Sequence, residues 1–482
     1  MTLRSPETPR PRPGPYSPDD IVRSDLCIGC GACVGADRSG RSAMVMDTHG
    51  HLKPSGPTAW RKTRSAAFSA VCPFSPAAAD EDDIALARYP AAPLDDPRIG
   101  RFVSAWVGHV EEGEFRSSGS SGGMANWTAA ELLRTGRVDA VAHVGGLGRD
   151  GADDPLFGYR ISRSLNELGA AAKSRYHPVE LSGVVDAIRA TPGRYAVLGV
   201  PCFIKAVHLL RAREPVLRER IRFTLGLFCG HMKSLRMAES FAWQTGVRMQ
   251  DVAWMDYRLK DPSRAANVYT AQFLLKDGGE RRRDWWNFAD GDWGAGFFQN
   301  PACDWCDDVV AETADIAFGD AWVEPYASDG RGTNVVVVRT ADLDRMLREA
   351  IGAGRLRLNP VDADFIHETQ AAGFRHRREG LAWRLSSQRP GRLRPRKRVA
   401  PGRSGLTPRR RAVYWMRRQI SRWSHRLFRL ARWTRWPGVY LHWARTMLAL
   451  YQALAWSRGR LGAWFDRMEV ISGRGPRRAS GA

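Results

Sequence analysis

Through the middle of the chain, apolar residues gather in short blocks set between Gly, Pro and charged clusters. The blocks at 102–108, 138–144, 195–200, 222–228 and 335–338 are largely continuous rather than alternating, which reads as buried strands. Residues 124–134 and 342–352 carry helical patterns instead. Strand and helix signals interleave between about 100 and 355, so one mixed α/β domain is expected there.

The flanks break this pattern. Residues 1–20 hold six prolines and little that could pack, and read as a disordered arm. Residues 77–97 are rich in Ala, Asp and Pro and read as a linker. Near the far end, Val413, Met416, Ile420, Trp423, Leu427 and Leu430 recur at spacings of 3 and 4, which predicts one helical stripe. Arg417, Arg418, Arg422, Arg426, Arg429 and Arg432 fall mainly on the other faces. Pro437-Gly438 ends that pattern, and a second helix is expected over 439–456. The organisation expected is an arm (1–20), an iron–sulfur module and linker (21–98), an α/β domain (99–385) and a basic amphipathic helical tail (386–482).

Composition sharpens the picture at two points. With 482 residues and 43% hydrophobic content the chain can bury a sizeable core. No apolar h-region follows Met1, and no run of 18 uncharged apolar residues exists, so a cytoplasmic protein without spanning helices is expected. Net charge is +22, but residues 389–482 hold 24 basic residues against only Asp466 and Glu469, which accounts for all of it. The basicity therefore belongs to the tail and not to the body. An Arg-rich helix with Trp and Leu suits an anionic membrane surface. Nucleic acid is a lesser alternative, and docking on an acidic partner or on the body itself is a third.

The strongest chemical signal is Cys27-Ile28-Gly29-Cys30-Gly31-Ala32-Cys33, followed later by Cys72-Pro73. Three cysteines at i, i+3 and i+6 on a Gly-containing loop can turn their sulfurs to one point, as a cubane iron–sulfur cluster requires. A four-cysteine zinc site is the alternative. Cys202 and Cys229 each stand where a predicted strand runs out, and Cys303 and Cys306 form a CxxC pair. They make a second four-thiolate set, against the alternative that Cys202 and Cys229 are small core residues. A Gly/Ser loop, Ser117 to Gly123, opens the predicted helix at 124 and offers free backbone amides to a phosphate. Ser and Gly also make ordinary helix caps.

Taken in order, CIGCGACV with Cys72-Pro73, SSGGM at 120–124, SRY at 174–176, GVPC at 199–202, FCGH at 228–231, Tyr257-Arg258, CDWC at 303–306 and ADIAFGDAW at 314–322 resemble the beta-subunit family of coenzyme F420 hydrogenase/dehydrogenase. The resemblance spans roughly residues 25–370. It implies an iron–sulfur flavoprotein oxidoreductase with two 4Fe–4S clusters and FAD. The fold implied is a mixed-sheet α/β flavin domain with a ferredoxin-like N-terminal module. The flavin contacts it implies are Ser120, Ser121, Gly122, Gly123, Ser174, Tyr176, Arg258 and Asp320, and Lys173, Arg175, His231 and Asp315 are further candidates. Relatives act on the deazaflavin coenzyme or on chlorophyll-type pigments. Partners implied are ferredoxin or another electron-transfer protein and a small redox substrate. A rival reading is an adaptor that passes electrons to a partner protein without a small substrate of its own. Two departures bear on the electron acceptor. Asn300-Pro301 stands where many members have Arg-Pro, and the cationic tail lies outside the family core.

Overall fold

A computed structural model describes residues 14–148, 155–389 and 391–471. Most of the expected arm, residues 1–13, lies outside them. The centre is an eight-stranded mixed sheet: β1 (Ser104–Val110), β2 (Ala140–Gly146), β3 (Phe157–Ser162), β4 (Tyr195–Gly199), β5 (Ile221–Leu227), β6 (Ile316–Asp320), β7 (Asn334–Val338) and β8 (Leu356–Pro360). Their spatial order is β8-β1-β7-β6-β5-β4-β2-β3. Strands β2, β4, β5 and β6 are parallel, and antiparallel strands complete both sides. The all-Val run of β7 is buried along its length, as a strand covered on both faces must be.

This topology positions the chemistry. Parallel strands present their carboxyl ends along one edge, where open α/β sheets bind ligands. Cys202 follows β4 on helix α2 (Pro201–Arg213), Cys229 follows β5, and Asp320 ends β6. Helix α1 (Met124–Arg134) starts after the Ser/Gly loop at the boundary expected from sequence. A separate antiparallel sheet, Val252–Leu259, Thr270–Leu275 and Glu280–Asp284, carries Arg258 near the end of its first strand.

The N-terminal flank is more ordered than its composition implies. Ser17 opens the helix Pro18–Arg23 with a capping box and buries Ile21, and the Tyr16 amide donates to Ser69 Oγ at 2.8 Å. The expected linker contains the helix Glu81–Arg88, opened by a capping box at Asp80. Ion pairs of Lys205 with Glu81 (3.1 Å) and Arg88 with Asp315 (3.0 Å) hold that helix to the body.

The tail departs furthest from expectation. Helices α3 (Pro408–Thr434), α4 (Gly438–Trp456) and α5 (Gly459–Ile471) form it, and its inner residues join the main core. Of the predicted stripe, Met416 and Ile420 are buried, whereas Trp423 and Leu430 are exposed. Ser421, Ser424, His425 and Phe428 face inward instead. Ser421 Oγ donates to the Gln299 carbonyl at 2.9 Å, and Ser424 Oγ accepts from the Phe298 amide at 3.0 Å. His425 meets Ser234 Oγ at 3.1 Å, and the Tyr440 hydroxyl donates to Asp290 at 2.7 Å. Docking on the body is thus what the inner face does. No helix among the described residues is long and apolar enough to cross a membrane.

The segment before α3 is also anchored. Lys397 pairs with Asp307 at 2.9 Å and Arg398 pairs with Glu312, all four side chains being largely or wholly buried.

Candidate functional site

Cys27, Cys30, Cys33 and Cys72 line a single cavity together with Gly29 and Gly31. The loop can turn this sharply because Gly29 and Gly31 sit at φ +84° and +78°, a region open mainly to glycine. Cys72 arrives at the end of the helix Ala66–Val71. Lys53 Nζ donates to the Cys27 carbonyl at 2.7 Å, and the Leu181 amide donates to the Cys30 carbonyl at 2.9 Å, which fixes the loop to its surroundings. Burial pushes the Cys30 and Cys33 thiols far up, and the Cys72 thiol up to about 12. The neighbouring sulfurs add to each shift. All eight cysteines are free of disulfides. In a four-iron cluster each thiolate binds a different iron. The donor set and cavity fit such a cluster.

The second set is also brought together. Burial raises the Cys202 thiol, and charge on Cys229, Cys306 and Cys303 raises it further. Cys303 and Cys306 lie on and just after the short 3-10 turn Pro301–Trp305, which Asn300 caps by accepting from the Ala302 amide at 3.0 Å. Asn300 Nδ2 donates to the Ile28 carbonyl at 3.2 Å, which ties the CxxC turn to the first cysteine loop. The Met232 amide donates to Cys303 Sγ at 3.2 Å.

Sequence reasoning missed Arg377, which completes this set. Its guanidinium is 2% exposed. Nη1 donates to Cys306 Sγ at 2.8 Å and also to the Asp308 carbonyl, and Nη2 donates to the Gly230 carbonyl at 2.7 Å. No carboxylate forms an ion pair with it among the described residues. Its positive charge offsets part of the upward push that burial gives Cys229, Cys303 and Cys306. No motif marks it, because it follows the family-like segments and one Arg among many carries no signal.

The two sets adjoin. Cys30 is near enough to add to the upward shift of Cys202, and both sulfurs act on the buried Tyr159 hydroxyl. Tyr159 donates to the Leu198 carbonyl at 2.9 Å and stacks on Phe203. On the far side of the second set, burial raises the Tyr176 hydroxyl, Arg258 opposes the shift, and Asp320 and Cys229 add to it. The Tyr176 ring also meets Trp293 at 4.8 Å, which stacks on His231 two residues after Cys229, and Arg258 and Asp320 line a pocket with Ser120, Lys260, Tyr269 and Trp322.

That pocket gathers part of the expected flavin set. Arg258 forms a two-pronged pair with Asp320 at 3.0 and 3.4 Å and lies over the Tyr269 ring at 4.2 Å. Ser120 Oγ accepts from the Ser174 amide at 2.8 Å. Lys260, missed from sequence although two residues after Arg258, donates to the Ser121 carbonyl at 2.7 Å, and burial lowers it to about 7 with help from Lys173, Arg116 and Arg258. The cationic and aromatic lining fits a planar, anionic group such as a flavin nucleotide.

Other candidates do different work. Ser121, Gly122 and Gly123 stand behind the pocket wall. A Cβ on Gly122 would meet the Asn334 amide at 2.8 Å and the Gly108 carbonyl at 2.9 Å, and Gly123 opens α1 at φ +86°. Glycine is required there by packing and backbone shape. Lys173 pairs with Asp256 at 3.3 Å, and Arg175 lies over Trp254 at 4.5 Å. His231 stacks on Trp293 at 4.4 Å with a buried, unpartnered Nε2. Asp315 is structural, accepting from the Thr224 amide at 2.7 Å and pairing with Arg88.

Comparison with known proteins agrees with the residues. Residues 105–186 match the model of the coenzyme F420 hydrogenase/dehydrogenase beta subunit N-terminus, and residues 193–364 match that of its C terminus. No curated protein matches the chain. Among solved structures, a chain of the F420-reducing NiFe hydrogenase complex from Methanosarcina barkeri is similar. The match has 17% identity and a TM-score of 0.47, covering 62% of this chain and 98% of that one. The chain belongs to the coenzyme F420 hydrogenase/dehydrogenase beta-subunit family, electron-transferring oxidoreductases with iron–sulfur and flavin cofactors.

Proposed function

We propose that the chain is an oxidoreductase with one 4Fe–4S cluster on Cys27, Cys30, Cys33 and Cys72 and a second on Cys202, Cys229, Cys303 and Cys306. FAD is held at the pocket of Ser120, Arg258, Lys260 and Asp320. When bound, the clusters supply one-electron carriers and the flavin supplies hydride chemistry toward a deazaflavin coenzyme or another organic substrate. The observation that carries this reading is the order of the three sites. Asn300 ties the CxxC turn to the first cysteine loop at 3.2 Å, and Trp293 joins Tyr176, which feels the charge of Arg258, to His231 beside Cys229.

The chain's own residues do three things in this reading. Cys30, Cys303 and Cys306 are buried in the main core and Cys27, Cys72 and Cys202 pack against it, which limits access of water to both sets. Arg258 and Lys260 place positive charge where a reduced, anionic ring system would lie, and Asp320 holds Arg258 in orientation. Tyr269 and Trp322 provide flat walls. An electron-transfer protein such as ferredoxin would be met at the N-terminal module, where Cys27 and Cys33 are less buried than Cys30.

A buried pocket beside the flavin would favour an enzyme, and an exposed flavin edge facing a protein-docking surface would favour an adaptor. The test is anaerobic purification followed by metal and flavin analysis and reduction. About eight irons and one flavin per chain are expected from two cubanes. The reduced protein should then be reoxidised by a deazaflavin acceptor. Stoichiometric zinc without iron would sink the cluster reading. Oxidation by ferredoxin but by no small acceptor would favour the adaptor.

A further inference from the structure

The inner face of α3 is occupied by the body, which leaves its outer face to be explained. Seven tryptophans are exposed among the described residues, and six of them lie in the tail. Trp415 is 56% exposed, Trp423 43%, Trp433 81% and Trp436, in the turn after α3, 63%. At 3.6 residues per turn, Trp415, Trp423, Leu430 and Trp433 fall within about 120° of the helix circumference, and Arg422, Arg426 and Arg429 share that arc. Those three arginines have no ion pair among the described residues. Arg426 lies over the Trp423 ring at 5.2 Å. No acidic residue occurs anywhere in α3 or α4.

We propose that this outer face is a peripheral binding surface for an anionic lipid bilayer. Indole rings with arginines between them match the headgroup boundary, where rings enter the interface and guanidinium groups meet phosphates. Two features single out this occupant. Exposed Leu430, and Leu450 on α4, add apolar surface that phosphate recognition does not use. A second copy of the face would carry the same charge and repel.

The surface differs from the stripe expected from sequence. Met416 and Ile420 belong to the docked side, so only the outward residues are available to lipid. It also rests on no cofactor assignment, and failure of the redox reading would leave it standing.

The test uses the full chain with its cofactors and vesicles of phosphatidylcholine with or without phosphatidylglycerol. Flotation should show binding to the anionic vesicles only, with a blue shift of tryptophan emission. Salt should weaken binding without abolishing it, since the indole contribution is not screened. The Trp423→Ser/Trp433→Ser variant, at unchanged charge, should bind at least tenfold more weakly while keeping wild-type iron and flavin content. Arg422→Gln/Arg426→Gln/Arg429→Gln should lose the preference for anionic lipid. Three results would overturn the proposal. One is wild-type protein that ignores anionic vesicles at low salt. Another is binding that the tryptophan variant retains in full. The third is capture by an oligonucleotide or an acidic polypeptide with none by vesicles.

Discussion

Replacing Arg377 by Gln tests the electrostatics of the second cysteine set most directly. The side chain is fully inside the protein, touches Cys306 Sγ at 2.8 Å and has two carbonyls as its other partners. A buried charge without a carboxylate costs several kcal/mol unless something nearby answers it. Cys229, Cys303 and Cys306, as thiolates of the proposed second cluster, would be that counter-charge. If about 5 Å separates the guanidinium from the centre of the added electron and the effective dielectric constant is about 20, their attraction is about 3 kcal/mol. At about 59 mV per tenfold change for one electron, that corresponds to about 140 mV. Arg377→Gln should therefore move the second cluster's midpoint to more negative potential by roughly this amount, and Arg377→Lys by much less. The assay is an anaerobic, EPR-monitored redox titration, with the first cluster in the same molecule as internal reference. Its potential should stay nearly fixed. Loss of the second cluster in the Gln variant with retention in the Lys variant would also support the charge argument. A Gln variant with both clusters loaded and both midpoints unchanged would refute it.

Other outcomes follow from the same contacts. Ser120→Ala removes the acceptor of the Ser174 amide and should lower flavin retention with iron content unchanged, as absorbance and metal analysis would show; Gly122→Val should instead reduce folded protein, because its side chain meets the β7 and β1 backbone. Lys397→Met leaves Asp307 buried without its nearest cation and should destabilise the protein by about 3 kcal/mol or more, read from denaturant midpoints. Acid should loosen the tail. Burial lowers His49 and His51 and takes His425 down to about 3, with nearby Arg236 lowering all three, Lys233 acting on His425, Lys53 on His51 and Arg429 on His49, while Asp47 partly opposes this at His49. His425 stays neutral while the tail is docked and would titrate near pH 6.5 once exposed, so it alone costs docking about 1.4 kcal/mol per pH unit below 6.5, until about pH 3. Limited proteolysis between α3 and the body should accelerate from pH 7 to pH 5, and less so in His425→Gln; an unchanged rate would count against the assignment.

Much of the frame was legible because it rests on continuous apolar runs. The strands around residues 140, 197, 224 and 336 and the helix Met124–Arg134 lie where the pattern put them. The cysteine sets were legible because sulfur spacing is a chemical constraint that survives without knowledge of the fold. The tail misled for a physical reason. Placing Trp423 and Leu430 on one stripe with Met416 and Ile420 assumed that the apolar side chains of the helix share one environment. Ser421, Ser424 and His425 are buried instead because Gln299, Phe298 and Ser234 offer them partners, and no pattern along the chain encodes partners from elsewhere. Arg377 and Lys260 were invisible for the same reason. Gly122 was legible as a constrained position, but the constraint is a neighbouring strand rather than a ligand.

The segment bearing Lys397 and Arg398 has a consequence for the order in which the protein matures. These residues reach over Asp307 and Glu312, beside the CxxC turn, and they are synthesised after all eight cysteines. Until they arrive, Asp307 and Glu312 lack their buried counter-charges beside the CxxC turn. Once they seat, withdrawal requires separating buried opposite charges. The segment acts as a latch fitted last.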